Sequence, residues 1–196
     1  MKGKLKTNTV DKYLRPIREQ ICNLVSLDAE VLEVGCGNGD LLFKLSSKIK
    51  NGLGTDIDKV LISYANERKE KEGAQNLNFK VADAVNEDMS AKTYDYAIVS
   101  LVFHVLKPEE AHVLLHRLMS CADQIIICAF CEPTSRWQRL LLWLDQRFSG
   151  HFVNFKSYAE NGYMQGMLID QKHRAIEVYD TFDPVIKVYS MKKSIE

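Results

Sequence analysis

Carboxylate side chains follow three short apolar segments in the first half of the chain, and glycines surround the first of these sites. In the segment VLEVGCGNGD, Gly35, Gly37 and Gly39 come directly after an apolar run. Glycines at this spacing allow a tight turn from a strand into a helix and let a ligand approach the backbone. Glu33 and Asp40 flank the turn and would repel a pyrophosphate, so the pattern favours a ligand that carries positive charge. The alternative is that the glycines only form a turn and that Asp40 only caps the helix.

Two further acids end the next two apolar segments. Asp56 lies in GTDID, about 20 residues beyond the glycines, which is the distance expected for an acid that binds ribose hydroxyls. Asp58 is better placed to cap the following helix. Asp83 lies in VADA, where it could accept a hydrogen bond from an adenine amine or cap a loop. Because ligands of parallel sheets bind at the carboxyl ends of the strands, acids at three successive strand ends predict one ligand site.

The elements that must position these acids follow from the spacing of apolar residues. The pattern predicts alternating strands and helices that end in an antiparallel hairpin turning at Asp183-Pro184. We therefore expect an α/β fold, a Rossmann-like doubly wound sheet that is mostly parallel with an antiparallel C-terminal hairpin strand. The chain is predicted to be a single domain over residues 1–196, with an N-terminal helix within 1–28 and an insertion at 133–171. The predicted strands are 31–34, 52–55, 77–82, 96–101, 124–130, 175–182 and 185–191, and the predicted helices are 10–25, 41–49, 59–72, 108–120 and 136–148.

Composition excludes several classes of protein. Lys plus Arg and Asp plus Glu each number 26, and this balance argues against a nucleic-acid-binding protein, which needs a basic face. Five cysteines, an odd number, argue against a complete disulfide framework. The longest apolar run, IIICAFC, is too short to cross a bilayer, and the N-terminus lacks the apolar stretch of a secretory signal. A cytoplasmic protein without a transmembrane segment is predicted, and nothing in the sequence indicates its oligomeric state.

The segments VLEVGCGNGD, GTDID, VADA and YDYAIVSLVFHVL, within residues 31–106, resemble the ordered motifs of class I S-adenosylmethionine (SAM)-dependent methyltransferases. This resemblance implies a SAM cofactor, with S-adenosylhomocysteine as its product. It also implies that the three glycines surround the methionine part of SAM and that Glu33 supports their loop. The remaining residues implied to line the cofactor site are Cys36 and Ile57, Asp56 at the ribose, Asp83 and Ala84 at adenine, and Ser100 and Leu101 on the methionine side.

Other residues with reactive side chains have more than one interpretation. His104 follows the fourth predicted strand and is either a general base, which suits its ordinary pKa, or a histidine that packs beside the cofactor. His112 and His116 are four positions apart on a helix, where a solvent-exposed face is favoured over a metal site. Cys128 and Cys131 are interpreted as buried cysteines, because no second pair exists to complete a zinc site. No metal is predicted.

The insertion at 133–171 is rich in large apolar residues that the sheet does not need. One face of its first helix carries a stripe that is interpreted either as a surface packed on the domain or as part of a lid over an acceptor. The later part, SGHFVNFKSYAENGYMQGML, is loosely similar to the same region of quinone-biosynthesis C-methyltransferases. Arginines border the stripe and would suit peripheral contact with a membrane surface. The stripe consists of Trp137, Leu140, Leu141, Leu144 and Phe148.

The sequence thus predicts a methyltransferase that acts on a small, apolar or aromatic acceptor. The residues predicted to contact the acceptor are Tyr13, Trp137, Phe155 and Tyr163. Two alternatives stay open: a SAM-binding protein without activity, and a nucleotide-linked oxidoreductase on a similar fold. The glycine spacing disfavours the oxidoreductase, because dinucleotide sites use G-x-G-x-x-G.

Overall fold

A computed structural model describes residues 2–87, 93–171 and 175–192 of the chain. These residues form two compact units, of which the first ends at Ala82 and the second begins at Asp83. Within the described ranges, no helix is both long enough and apolar enough to cross a membrane.

The first unit is a parallel three-stranded sheet in the order β3-β2-β1 with three helices. Its strands contain many apolar residues that the unit buries, such as Val31 and Leu32, as expected for a parallel sheet covered by helices. Helix α1 contributes Ile17 and Ile21 to this core. The elements are α1 (Lys2–Leu24), β1 (Glu30–Val34), α2 (Asp40–Leu45), β2 (Asn51–Asp56), α3 (Lys59–Glu72) and β3 (Leu77–Val81).

The second unit has four strands in the order β4-β5-β7-β6. Strands β4 and β5 are parallel, whereas β7 runs antiparallel to both β5 and β6. Ile126 and Ile127 of β5 are fully buried, consistent with a central strand. The elements are β4 (Tyr94–Ser100), α4 (Pro108–Cys121), β5 (Ala122–Phe130), α5 (Arg136–Arg147), α6 (Phe152–Glu160), α7 (Tyr163–Leu168), β6 (Ile176–Asp180) and β7 (Ile186–Lys192).

The predicted fold class is confirmed: the strands are mostly parallel, and the C-terminal hairpin is antiparallel. The differences lie at element ends and in helices α6 and α7, which the sequence did not predict. Helix α1 begins at Lys2 rather than at residue 10, and Pro16 lies inside it. Helix α2 ends at Leu45 rather than at Ile49, because the Lys48 and Ile49 amides both donate to the Leu45 carbonyl and close a turn.

Candidate cofactor and acceptor sites

The turn between β1 and α2 is left-handed at each of its three glycines. Gly35, Gly37 and Gly39 have φ angles of 71°, 54° and 76°. A residue with a Cβ adopts such angles only at a cost, so the turn depends on glycine at these positions. The Gly35 amide donates to the Thr55 carbonyl at 2.8 Å, which fixes the turn to the end of β2.

Gly37 and Gly39 differ in the side chains that an added Cβ atom would meet. A Cβ on Gly39 would lie 2.6 Å from the ring of Phe79, so close packing alone requires glycine there. A Cβ on Gly37 would meet only the Leu61 side chain, at 3.9 Å. Gly39 therefore matches the purely structural interpretation of the motif, whereas Gly37 leaves room for another group beside the backbone.

Asp56, at the end of β2, is fixed by the glycine turn. Its Oδ2 accepts a hydrogen bond from the Gly37 amide at 2.8 Å, and its Oδ1 accepts one from the Asp58 amide at 2.9 Å. Each carboxylate oxygen can accept a further bond, so two directions remain for a ligand. Asp58 caps helix α3, as predicted, by accepting from the Val60 and Leu61 amides.

Asp40 is engaged in a charge network that the sequence did not reveal. Its two oxygens accept from Arg18 at 2.9 Å and from Arg68 at 3.4 Å. The Arg68 guanidinium also lies over the Phe43 ring, 4.0 Å from its centroid. Asp40 thus links α1, α2 and α3, and its charge is already balanced without a ligand.

Glu33 is a buried acid beneath the glycine turn. Its side chain is 4% exposed, and its Oε2 has no hydrogen-bond partner among the described residues. Burial raises the pKa of Glu33 to about 8, and the nearby Arg18 opposes that rise. The acid is therefore largely neutral at pH 7. Burial likewise raises the pKa of the Cys36 thiol, which keeps it protonated, whereas Ile57 is exposed.

In the second unit, Asp83 caps its own loop. Its Oδ1 accepts from the Val85 and Asn86 amides, and its Oδ2 accepts from the Asn86 side chain at 2.7 Å. The bond from the Asn86 side chain is the main reason why the pKa of Asp83 is lowered. Ala84 is buried. Contact of Asp83 and Ala84 with adenine stays a prediction.

The end of β4 carries backbone strain at one residue. Leu101 has a φ of 55°, in the left-handed region that a branched side chain rarely adopts. Its amide donates to the Cys128 carbonyl at 2.8 Å, and Ser100 is paired with the same residue across the sheet. Strain of this kind concentrates at functional sites, so the conformation of Leu101 supports the predicted role of Ser100 and Leu101.

His104 lies in a short 3-10 helix after β4, at Phe103–Val105. Its ring meets the Phe130 ring edge-on, with centroids 4.8 Å apart, and is 9% exposed. Burial lowers the pKa of His104 to about 4, so the imidazole is neutral at pH 7 and only weakly basic. These features favour packing over general-base catalysis.

Comparison with known proteins adds a family to this geometry. Residues 31–123 match a methyltransferase-domain family. The chain is also 30% identical, over 137 residues, to the 235L protein of Invertebrate iridescent virus 6, a methyltransferase by name. That match covers 68% of the chain and 49% of the viral protein, so the chain spans about half of that relative's length.

Residues 31–123 of the chain therefore carry a methyltransferase domain. Two solved structures share its fold. A SAM-dependent methyltransferase from Aquifex aeolicus is 18% identical, with a TM-score of 0.67 over 95% of this chain and 97% of the other. The magnesium protoporphyrin IX methyltransferase of Synechocystis, solved with bound S-adenosylhomocysteine, is 20% identical, with a TM-score of 0.64 over 98% of this chain and 84% of the other. The predicted fold is confirmed, and the match to the methyltransferase-domain family supports the predicted family, enzyme class and SAM cofactor.

The second unit also contains an aromatic cleft of about 330 Å³. Trp143 meets Phe152 edge-on at 5.7 Å, and Phe155 meets Tyr163 edge-on at 6.4 Å. Tyr163 has a φ of 56°, a second strained residue. The cleft is lined by Glu132, Arg139, Trp143, Phe152, Phe155, Lys156, Ala159, Glu160 and Tyr163.

The four residues predicted to contact the acceptor are placed differently. Phe155 and Tyr163 line the cleft. Trp137 is 74% exposed and does not line it, whereas Trp143, on another side of the same helix, does. Tyr13 is half exposed on α1 in the first unit. The sequence missed Trp143 because it lies outside the stripe on which the acceptor prediction relied.

The histidine and cysteine pairs take their expected surroundings. His112 and His116 are exposed on α4, and Cys128 and Cys131 are buried. Among the residues that the structure describes, no three histidine, cysteine or acidic side chains form a group that could hold a metal.

Proposed function

We propose that the protein transfers a methyl group from SAM to a small acceptor that is apolar or aromatic. Bound SAM would supply an electrophilic methyl group on its sulfonium sulfur. The chain would supply binding, alignment and exclusion of water, which account for much of the catalysis when a cofactor carries the chemistry. Transfer would not depend on His104 as a base.

The observation that carries the cofactor proposal is the link between Asp56 and Gly37. The Gly37 amide holds the Asp56 carboxylate at 2.8 Å, and the space above Gly37 is open. A carboxylate held in this way has both remaining acceptor directions fixed before a ligand arrives, which lowers the entropy cost of binding. Two neighbouring ribose hydroxyls match these two acceptors.

Calorimetric titration of SAM into matched variants tests this assignment. Asp56→Ala removes a charged acceptor, and each lost hydrogen bond is expected to cost about 1.5–3 kcal/mol of binding free energy. Asp58→Ala is the control, because it removes a neighbouring carboxylate that caps α3 and should cost about 1 kcal/mol of stability while SAM affinity stays unchanged. Equal affinities in the two variants would rule out the ribose role of Asp56.

The acceptor proposal depends on the walls of the aromatic cleft. Its volume, about 330 Å³, suits a small organic molecule. Edge-to-face ring pairs form the walls, and a planar acceptor could stack between them. The charged groups at the cleft form ion pairs with each other, since Arg139 meets Glu132 at 3.8 Å and Lys156 meets Glu160 at 3.6 Å. A neutral acceptor therefore fits better than a strongly charged one.

Two tryptophans on the same helix allow a matched test. Trp143→Ala removes a wall of the cleft, whereas Trp137→Ala removes a ring that is outside it. With tritiated SAM and a cell extract, we expect methylation of apolar small molecules to fall in Trp143→Ala and to persist in Trp137→Ala. Labelling of polar acceptors only, with no effect of Trp143→Ala, would refute the apolar acceptor. Tight SAM binding with no labelled product at all would identify a protein that binds SAM without catalysis.

A further inference from the structure

Helix α5 presents its apolar stripe to solvent instead of to the core. Only Leu142 and Gln146 of this helix are buried. The exposed side carries five large apolar side chains at the helical spacing i, i+3, i+4, i+7 and i+11, counting the residue that directly follows the helix. Their exposed fractions are 74% for Trp137, 44% for Leu140, 64% for Leu141, 41% for Leu144 and 86% for Phe148.

A continuous apolar surface of this kind indicates a binding partner, because a protein that remains alone in water rarely leaves one exposed. The stripe is the convex side of a helix and therefore cannot enclose a small molecule. Helix α5 is also already formed before any partner binds. The Ser135 hydroxyl accepts from the Gln138 amide, and the Gln138 side chain accepts from the Ser135 amide, which satisfies the helix N-terminus. Docking would then need no folding of the helix.

The charges beside the stripe favour one kind of partner. Helix α5 carries Arg136, Arg139 and Arg147 against the single acid Asp145. Arg139 lies at the cleft, where it pairs with Glu132. Arg136 and Arg147 are therefore the arginines that border the stripe. Helices with Trp, Phe and Leu on one face and arginines beside it lie in the plane of a bilayer surface, with the apolar face below the headgroups and the arginines at the phosphates. We propose that the α5 stripe docks the protein on an anionic lipid bilayer.

The position of Trp143 gives this docking a consequence for the acceptor cleft. Trp143 lies on the same helix as the stripe and lines the cleft. Docking of the stripe would therefore bring the cleft close to the lipid surface, where an apolar acceptor concentrates. This consequence rests on the proposed function, whereas docking itself needs neither SAM nor an acceptor.

Intrinsic fluorescence reports directly on this helix, since the chain has only two tryptophans and both lie on α5. The variant Trp143→Phe leaves Trp137 as the single reporter within the stripe. We expect vesicles of phosphatidylcholine with phosphatidylglycerol to shift its emission to shorter wavelength and to carry the protein upward in a flotation gradient. Vesicles of phosphatidylcholine alone should do so much less.

Leu141→Glu and Leu27→Glu form a matched pair, because both leucines are well exposed and only Leu141 belongs to the stripe. Leu141→Glu removes a side chain that the bilayer would bury, so it should weaken the partition onto anionic vesicles by about tenfold or more. Leu27→Glu should leave the partition unchanged. Arg136→Gln should weaken the partition by about fivefold.

Absence of flotation, or equal flotation of the two leucine variants, would overturn the proposal. A dimer in sedimentation that Leu141→Glu dissociates, without vesicle binding, would assign the stripe to self-association instead. SAM affinity measured on the same variants keeps this outcome separate from that of the proposed function.

Discussion

The glycine turn and helix α5 differ in what surrounds their side chains. In the turn, Asp56 and Asp40 each bind two partners within the first unit, so the protein itself fixes the orientation of these two carboxylates. In α5, the most apolar face is exposed, as the 86% exposure of Phe148, the residue directly after the helix, illustrates. The glycine turn therefore holds a fixed geometry, whereas the exposed stripe of α5 is available to bind the partner proposed above.

The largest expected effect separates the two kinds of glycine in the turn. Gly39→Ala forces a Cβ to within 2.6 Å of Phe79 at a φ of 76°, so strain and overpacking together should cost about 2–5 kcal/mol of unfolding free energy. Gly37→Ala meets open space and should cost only about 1–2 kcal/mol. Denaturant unfolding of both variants measures this difference. SAM affinity should fall in Gly37→Ala, because its new methyl group would occupy the proposed ligand space. Unchanged affinity there would place the ligand elsewhere.

The next effect tests the inverted orientation of α5. Leu142 is 5% exposed and Leu141 is 64% exposed, although they are neighbours in sequence. Leu142→Ala should lower the unfolding free energy by about 2–5 kcal/mol, because it leaves a cavity. Leu141→Ala should change it by less than about 0.5 kcal/mol. The reverse order in thermal or denaturant unfolding would mean that the stripe, and not Leu142, faces the core.

These contrasts show how far the sequence determined the structure. The strands and helices α1 to α5 followed from apolar periodicity, whereas helices α6 and α7 did not. The glycine turn followed from three closely spaced glycines, a residue type that such a turn requires. The Arg18–Asp40–Arg68 network could not be predicted, because Arg18 and Arg68 lie 22 and 28 positions from Asp40 in the sequence. Any other basic residue of the chain could have been the partner of Asp40. For α5, periodicity identified an apolar face but not what that face meets. The strain at Leu101 and Tyr163 was also hidden, since non-glycine residues seldom adopt a positive φ.

A pH effect arises from Glu33, beneath the glycine turn. Its pKa is about 8 in the folded protein and 4.5 as the ordinary value, so the folded state holds a proton that the unfolded state has lost between these limits. The stability associated with this proton is fully present below about pH 4.5 and is lost as the pH rises through about 8. The expected slope is about −1.4 kcal/mol per pH unit within that window. Glu33→Gln should remove the slope in urea titrations at several pH values. An unchanged slope would show that Glu33 is already ionised in the fold.

The smallest effect has the opposite direction and concerns His104, in the second unit. Its pKa falls from 6.5 to about 4 on folding, so the unfolded state binds more protons between these values. Stability is therefore fully present above about pH 6.5 and is lost as the pH falls through about 4, over a narrower window than that of Glu33. His104→Phe should keep the edge-on contact with Phe130 and remove this loss of stability at acid pH.

His104→Phe should also retain methyl transfer, because a buried imidazole with this pKa is a poor base near neutral pH. His104→Ala is the control, since it leaves a cavity beside Phe130 and should lower stability at every pH. Loss of turnover in His104→Phe, with SAM affinity and stability both intact, would instead make the imidazole a base that acts on the acceptor.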